Sequence, residues 1–308
     1  MPRPTRRCPD RMMTAAGNPP VALTIAGSDS GAGAGIQTDL KTMSALGIFA
    51  TTAITAVTAQ NTAEVVLVHH VPVEVVEAEI TAVLSDLPVA AVKTGMLGTT
   101  EVVRAVARRA AAGDLPLLVV DPVMVASNGR VFLPEEAVDA YRVELLPHAL
   151  ITTPNLWEAA LLAGVDPSSV GNVDAMADAA RRIHRLGPAW VLVKGGHLPG
   201  VESPVGAGTP KLVPDVLFDG EHLTVLEGER IDTPNTHGTG CTLSAAIAAL
   251  LASGSDVPVA VATAKEFVRA ALVGGRTWRL GRGHGPLDHF GWSVRPRTGT
   301  AAHPGAGT

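Results

Sequence analysis

The sequence predicts an α/β fold in which helices cover both faces of a parallel sheet. Short apolar runs alternate with longer alanine-rich segments along the chain, as they do in parallel sheets. Most of the short runs are continuously apolar, which is expected of strands that are buried on both faces. With 308 residues, of which 46% are hydrophobic and 17% charged, the chain can bury a large core and is not a disordered protein.

Each strand is predicted from a short apolar run, and each helix from a longer alanine-rich segment. The short apolar runs predict strands at residues 21–26, 50–58, 89–94, 117–121, 150–153, 190–194 and 215–218. The alanine-rich segments predict helices at residues 35–46, 73–84, 100–112, 134–145, 156–162, 173–186, 239–253 and 257–280. Residues 198–214 contain four prolines and three glycines, interrupt the alternation and predict a long surface loop.

Two tails flank a single predicted domain at residues 20–292. Residues 1–19 are rich in Arg and Pro and lack the apolar core of a secretory signal, so they predict a flexible extension, or sequence upstream of a true start at Met12 or Met13. Residues 293–308 predict a disordered tail. No apolar run reaches the length of about 18 residues that a transmembrane helix needs. We therefore expect no membrane contact and a cytoplasmic location.

Charge and cysteine content exclude several classes of protein. The net charge is −5 and both tails carry excess Arg, so the domain between them is acidic and nucleic acid is not an expected partner. Cys8 and Cys241 are the two cysteines of the chain, which excludes a disulfide scaffold and a four-cysteine zinc site.

A glycine-rich loop, GSDSGAGAG at residues 27–35, follows the first predicted strand and leads into a helix. Such a loop lets a ligand approach the backbone closely. A dinucleotide site is disfavoured because no acidic residue lies between Asp39 and Glu64, where the ribose hydroxyls would need one. No Gly-Lys-Ser/Thr follows, which excludes a Walker phosphate loop. Ligand binding and a mobile turn without a ligand both stay open.

The segment NTHGTGC, at residues 235–241, precedes a helix rich in Ala and Leu. Gly238 and Gly240 let the N–H groups of the first helical turn point at a ligand, and the helix dipole favours an anion there. A site of this kind suits phosphoryl transfer, which depends on positioning and charge stabilisation. We expect the thiol of Cys241 to have a lowered pKa at the helix start. A small buried residue without function is the alternative.

Polar residues also follow three other predicted strands, at the edge where ligands of parallel sheets bind. Asp121 ends one strand, and Lys194 ends another, where it could meet a phosphate as a point charge. Capping of a turn by Asp121 and a solvated Lys194 are the alternatives. Asn155 and Glu158 begin a helix with the spacing of an ordinary helix cap, or of ligands to a hydrated Mg²⁺.

Taken in order, these segments resemble the hydroxymethylpyrimidine/phosphomethylpyrimidine kinases of thiamine biosynthesis, which belong to the ribokinase-like superfamily. The resemblance covers about residues 20–292. Sugar kinases of that superfamily usually have Asp where Cys241 stands, and Ala32 stands where this group commonly has Gly. The segments are AGSDSGAGAGIQTDLKT, ITAVTAQNT, VKTGMLG, VVDPVMVASNG, ITTPNLWEA, VLVKGGH, NTHGTGCTLSAAIAA and GHGPLDHF.

The resemblance implies a three-layer α/β/α sandwich with a mostly parallel central sheet. It implies a kinase that uses ATP and Mg²⁺ to phosphorylate a small molecule, 4-amino-5-hydroxymethyl-2-methylpyrimidine, and then its monophosphate, and it leads us to expect a homo-oligomer. Gln60 would bind the aminopyrimidine edge, because an amide offers both a donor and an acceptor. The loop at residues 31–35, Met96 and Val123 would surround the ring, Asp39 would lie near it, and Gly27 would also contact the substrate.

The resemblance also implies roles on the phosphate side. Gly238 and Gly240 would form the anion hole, and Cys241 would contact the reacting hydroxymethyl group as the candidate base. Asp121 and Glu158 would serve the metal as well as ATP. The other implied contacts to ATP come from Asn155, Lys194 and Thr239.

Two other functions fit the same residues. A pyridoxal or pyridoxine kinase of this superfamily is the nearer, because both substrates are hydroxymethyl-bearing nitrogen heterocycles; Gln60 favours the pyrimidine. A non-catalytic pyrimidine-binding module is the other alternative. The presence of Asp121 and Lys194 together with the Gly-Thr-Gly-Cys segment argues against it, since a binder does not need all three.

Overall fold

The computed structural model describes residues 17–125, 131–196, 198 and 212–293. Most of the predicted extension at 1–19, nearly all of the predicted tail at 293–308 and most of the predicted loop at 198–214 lie outside these residues. The described strands, numbered β1 to β9, are Val21–Asp29, Phe49–Gln60, Val65–His70, Val89–Thr94, Val119–Val120, Ile151–Thr152, Trp190–Lys194, Leu212–Phe218 and Leu223–Glu229. The described α-helices, numbered α1 to α8, are Gly35–Ala45, Val73–Asp86, Thr100–Ala111, Glu135–Ala140, Leu156–Ala163, Val173–His184, Thr239–Ala252 and Val257–Gly275.

The nine strands form one mixed sheet in the order β3-β2-β1-β4-β5-β6-β7-β8-β9. Strand β1 pairs in parallel with β2 and β4, and parallel pairing continues through β5 and β6 to β7. Antiparallel pairs occur only toward the two edges of this sheet, where β3 joins β2 and where β8 and β9 follow β7. The carboxyl ends of the six parallel strands therefore meet at one edge, as the predicted α/β fold requires.

Helices cover both faces of the sheet, so the predicted three-layer α/β/α sandwich is confirmed. Helices α1, α7 and α8 bury their apolar residues on one face, and α2 to α6 bury theirs on the other. Helix α7 is apolar nearly all round because α8 covers its outer side. Helix α3 has one apolar stripe. The positive charges of Arg108 and Arg109 in its last turn stabilise the negative end of the helix dipole.

The structure differs from the predicted elements mainly at the edges of the sheet. Strands β3 and β9 were not predicted: all six residues of β3 are exposed, and β9 is mostly polar and exposed, so neither shows a buried apolar run. Strand β8 begins at Leu212, inside the predicted loop. Helix α8 ends at Gly275 rather than at residue 280, and the predicted helix at 134–145 divides into α4 and a π-helical turn, Tyr141–Leu145.

Candidate active site

The glycine-rich loop after β1 is held in one shape by the carboxylate of Asp29. That carboxylate accepts hydrogen bonds from the backbone N–H groups of Gly31, Gly33 and Ala34 at 2.8, 3.0 and 2.8 Å. Burial acts to raise the pKa of Asp29, but hydrogen bonds from His237 and from these backbone groups hold it below its usual range. The carboxylate of Asp29 therefore anchors the loop through these hydrogen bonds, which favours an ordered loop over the mobile turn that the sequence also allowed.

The two glycine-rich segments pack directly on each other. Gly238 has φ +82°, and a Cβ atom there would lie 1.9 Å from the carbonyl oxygen of Gly33. A Cβ atom on Gly33 would in turn lie 2.3 Å from Cδ2 of His237. Gly238 requires glycine because the backbone of Gly33 lies where a side chain would have to go, and Gly33 requires it because the ring of His237 lies there. This contact sets the start of α7 against the loop that follows β1.

The start of α7 combines backbone donors with a lysine. Gly238 is the N-cap, so the N–H groups of the first turn lack partners within the helix and can bind an anion. The ammonium of Lys194 lies beside this turn, 3.2 Å from where a Cβ atom of Gly240 would be. Thr239 is engaged in the loop itself: its N–H and its hydroxyl both donate to the carbonyl of Thr236.

Asp121 joins four elements of the site. Its Oδ1 accepts from Nζ of Lys194 and from the hydroxyl of Thr153, both at 3.0 Å, and its Oδ2 accepts from the hydroxyl of Ser244 at 3.1 Å. Burial acts to raise the pKa of Asp121, but Lys194 and Lys93 outweigh burial and lower it. Asp121 is therefore ionised, and it holds the Lys194 ammonium next to the helix start.

Asn155 and Glu158 form the helix cap that their spacing predicted. The side chain of Asn155 accepts from the N–H of Glu158 at 3.0 Å, and the carboxyl of Glu158 accepts from the N–H of Asn155 at 2.8 Å. Glu158 is buried, and burial raises its pKa to about 8; Lys194 opposes this rise and Asp121 adds to it. The capping and ligand-binding interpretations are thus compatible, because the cap fixes a buried carboxyl near Lys194 and Asp121.

The predicted ring-binding residues lie at or after the ends of β1, β2, β4 and β5. Gly27 lies against Met96, since a Cβ atom on Gly27 would be 2.6 Å from Cε of Met96. Gln60 ends β2, and its amide lies 3.3 Å from the hydroxyl of Thr58. Val123 is half-buried and its N–H donates to the carbonyl of Asp121 at 2.9 Å.

Asp39, which the resemblance implied to lie near the ring, is not available to bind a ligand. It is fully buried in an ion pair with Lys93, whose Nζ lies 2.8 Å from Oδ2, and it also accepts from the hydroxyl of Thr24 at 2.6 Å. The physical reason is charge: Lys93, on strand β4, pairs with the carboxylate and so allows it to be buried in the core.

The prediction of a lowered pKa for Cys241 is wrong. Burial raises the pKa of this thiol to about 11, and the nearby Lys93, which lowers it, does not compensate. Asp39 and Asp121 add to the rise. Cys241 is therefore a neutral thiol near pH 7, and the desolvation of its charged form outweighs the effect expected from the helix start.

Sequence reasoning assigned no role to five residues that organise this site, although all five stand inside the quoted segments. Asp29 and His237 had a positional signal, because Asp29 ends β1 and His237 directly precedes Gly238. Thr153 and Ser244 gave no signal, because a single hydroxyl beside a strand or in a helix is common. The five residues are Asp29, Lys93, Thr153, Ser244 and His237.

Comparison with known proteins identifies the family. The model of the phosphomethylpyrimidine kinase family matches residues 29–288. The chain belongs to this family. A hydroxymethylpyrimidine/phosphomethylpyrimidine kinase from Rhizobium meliloti (strain 1021) is 50% identical over 273 residues, which are 88% of this chain and 97% of that protein.

Solved structures of two related kinases have the same fold. The phosphomethylpyrimidine kinase of Clostridium difficile 630 is 38% identical, with a TM-score of 0.70, and the match covers 82% of this chain and 99% of that one. The ADP complex of Bacillus subtilis pyridoxal kinase is 39% identical, with a TM-score of 0.76, and the match covers 87% and 96%. The predicted ribokinase-like fold is thus confirmed.

In this family member, no helix among the described residues is both long and apolar enough to cross a bilayer.

Proposed function

We propose that this chain is a kinase that transfers phosphate from ATP to 4-amino-5-hydroxymethyl-2-methylpyrimidine and then to the resulting monophosphate, on the route to thiamine diphosphate. The observation that carries the proposal is the contact between Gly238 and Gly33, which sets an anion-binding helix start against the loop after β1. Family membership and close similarity to kinases of this name support it. ATP use is supported by the related kinase that was solved with ADP.

On the substrate side, Gln60 binds the pyrimidine edge through its amide. A 4-aminopyrimidine presents an amino donor next to a ring nitrogen acceptor, and a carboxamide presents the complementary acceptor and donor. Met96, packed on Gly27, and Val123 form apolar walls for the ring. The terminal methyl of Met96 fills the place where a side chain of Gly27 would lie, so these two residues form one continuous wall.

On the phosphate side, the N–H groups of Gly240 and Cys241 in the first turn of α7 bind the transferred phosphoryl group, and Lys194 supplies a positive charge beside them. Phosphoryl transfer passes through a loose transition state and needs little base catalysis. Cys241, which is a neutral thiol at pH 7, therefore orients the hydroxymethyl group and does not remove its proton in the ground state.

The residues present fit a hydrated Mg²⁺. No group of three or more His, Cys, Asp or Glu side chains suited to a metal occurs in the part of the chain that the structure describes. Mg²⁺ needs fewer protein ligands, because it keeps several waters and binds substrate phosphates. The carboxylate of Asp121 would hold it together with ATP, and so would Glu158, which would give up its proton on binding the metal because burial raises its pKa to about 8. When bound, Mg²⁺ neutralises charge on the phosphates.

The test is release of ADP, measured by a coupled assay with ATP and Mg²⁺ on hydroxymethylpyrimidine, its monophosphate and pyridoxal in parallel. Release with both pyrimidines is the expected result. The variant Gln60→Leu should raise the KM for the pyrimidine and leave the KM for ATP unchanged, because the buried polar edge loses its partner. No release with any of the three substrates would overturn the kinase proposal.

A pyridoxal kinase is the second candidate, since such a kinase from Bacillus subtilis is 39% identical. Release of ADP with pyridoxal alone would favour it. Pyridoxal is also an aldehyde that can form a hemithioacetal with Cys241, so a mass increase of the protein would report its binding.

We also propose that the protein is a homo-oligomer that associates through β3. This edge strand is exposed along its whole length, and Val65, Val66 and Leu67 are 54%, 68% and 63% exposed. An unpaired apolar edge strand is a template for pairing, and a second copy of the same edge offers matching unpaired groups. Leu67→Lys should shift the molar mass measured by light scattering to that of the monomer; an unchanged mass would contradict association through β3.

A cytoplasmic location fits the use of ATP.

A further inference from the structure

His237 lies at the junction of the two glycine-rich segments and the pyrimidine-binding amide. Its backbone N–H donates to the carbonyl of Gly285 at 3.1 Å, which anchors it directly before the N-cap of α7. Its ring is wedged against Gly33, where no Cβ atom would fit. One ring nitrogen, Nε2, lies 3.2 Å from Oδ2 of Asp29 and 3.1 Å from the amide nitrogen of Gln60.

Proton counting decides which partner each of these atoms can have. Asp29 is a carboxylate, so it only accepts hydrogen bonds, and the Nε2 atom that faces it must carry the proton. An Nε2–H group cannot accept from an amide N–H. The atom of Gln60 that faces His237 must therefore be the carbonyl oxygen, which a half-turn of the amide achieves without moving its carbon atoms.

The other neighbour of the amide requires the same orientation. The hydroxyl of Thr58 donates its single proton to the carbonyl of Ser28 at 2.9 Å. Its oxygen, 3.3 Å from the amide of Gln60, is then left as an acceptor. The amide nitrogen satisfies it as a donor, whereas the amide oxygen would face a second acceptor.

We propose that His237 is a positioning residue whose Nε2–H, shared between Oδ2 of Asp29 and the carbonyl oxygen of Gln60, holds the amide of Gln60 in one orientation and thereby selects the 4-aminopyrimidine ring. This inference rests on the proposed function and deepens it. The amide that is held in this way presents its second N–H group and its second oxygen lone pair to the substrate, with the donor on the Thr58 side and the acceptor on the His237 side. The pyrimidine edge fits that order in one ring orientation, which decides on which side its hydroxymethyl group lies. Pyridoxal has no amino group next to a ring nitrogen, so the held amide discriminates against it.

The test compares selectivity, defined as kcat/KM for hydroxymethylpyrimidine divided by kcat/KM for pyridoxal. His237→Phe keeps the ring shape and removes the donor, and we expect selectivity to fall about tenfold while the KM for ATP stays unchanged. Calorimetric titration with hydroxymethylpyrimidine in the absence of nucleotide should show a similar loss of affinity. His237→Gln should recover most of the selectivity, because its side chain places an N–H donor near the position of Nε2.

Two further variants keep the test decisive. His284→Phe makes the same change at an exposed histidine on the neighbouring loop and should leave selectivity unchanged. Thr58→Val removes the other orienting neighbour and should lower selectivity as His237→Phe does, which provides a reading if the latter variant fails to fold. Unchanged selectivity in folded His237→Phe overturns the role of His237, as does an equal fall in His284→Phe. Unchanged selectivity in Thr58→Val overturns the single amide orientation on which that role depends. A wild-type protein inactive on both pyrimidines overturns the proposed function instead.

Discussion

Gly238 lies so close to Gly33 that a Cβ atom on Gly238 would stand 1.9 Å from the carbonyl oxygen of Gly33. The two residues are 205 positions apart in the sequence: Gly33 lies in the loop after β1, and Gly238 is the N-cap of α7. Their contact leaves no space for side chains, so the geometry between the substrate loop and the start of α7 is fixed by backbone against backbone. The first prediction tests this contact directly.

We expect Gly238→Ala to lower kcat roughly a hundredfold, because a displacement of about 1 Å at the start of α7 misplaces the anion-binding N–H groups. Gly254→Ala is the matched control: Gly254 has a similar φ of +89°, but nothing lies within 4 Å of an added Cβ atom. Both variants should lose roughly 1 kcal/mol of stability through backbone strain. Equal kinetic effects of the two variants would show that the close approach is irrelevant.

Lys194→Met should raise the KM for ATP and lower kcat roughly a hundredfold, because the start of α7 loses the positive charge beside it. Lys265→Met is the control: Lys265 pairs with the buried Asp215, whose Oδ1 accepts from the N–H of Gly195 next to Lys194, so this variant also loses a buried ion pair close by but keeps the Lys194 ammonium. Each variant leaves a buried aspartate without its lysine, so both should be destabilised in urea titrations. Kinetic constants should change in Lys194→Met alone, and a normal KM for ATP in that variant would remove Lys194 from the site.

The raised pKa of Cys241 predicts slow alkylation near neutral pH. With a pKa of about 11 against 9.0 for an ordinary thiol, the thiolate fraction at pH 8 should be roughly a hundredfold lower. Because the thiol is protonated below its pKa, the alkylation rate should rise with pH until about pH 11. Iodoacetamide modification of a Cys8→Ser variant, followed by mass spectrometry, measures Cys241 alone. A midpoint below pH 9 would restore the thiolate interpretation.

Ala32→Gly should stabilise the protein. Ala32 has φ +56°, a left-handed conformation that costs an L residue roughly 1–2 kcal/mol and costs glycine little. The greater flexibility of glycine in the unfolded chain opposes this gain by about 0.5–1 kcal/mol. A net rise of up to about 1 kcal/mol in the free energy of unfolding is expected. A decrease would mean that the Ala32 methyl group makes contacts worth more than the strain.

The buried strands could be predicted because their residues are apolar on both faces. Strand β4 begins and ends where the sequence predicted, and so does β7. Strand β3 was missed because it lies at the edge with every residue exposed, and its apolar residues show no buried face. An edge strand is specified by its neighbour, β2, and a local pattern carries little of that information.

The residues of the candidate site divide in the same way. The positions of Asp121, Lys194 and the glycines followed from the sequence, because parallel strands deliver their carboxyl ends to one edge and glycine loops mark close backbone approach. The protonation state and the bonding partners of each group did not follow from the sequence. Lys93 takes Asp39 into the core as a buried pair, and the same burial keeps the thiol of Cys241 neutral.

The local sequence thus specifies which chemical groups are available and which strand or helix end carries each of them. The packing of distant segments specifies their charges and their partners, as it does where His237 meets Asp29 and Gln60. The physical reason is that desolvation and hydrogen bonding depend on every atom within a few ångströms, and most of those atoms come from residues far away in the chain.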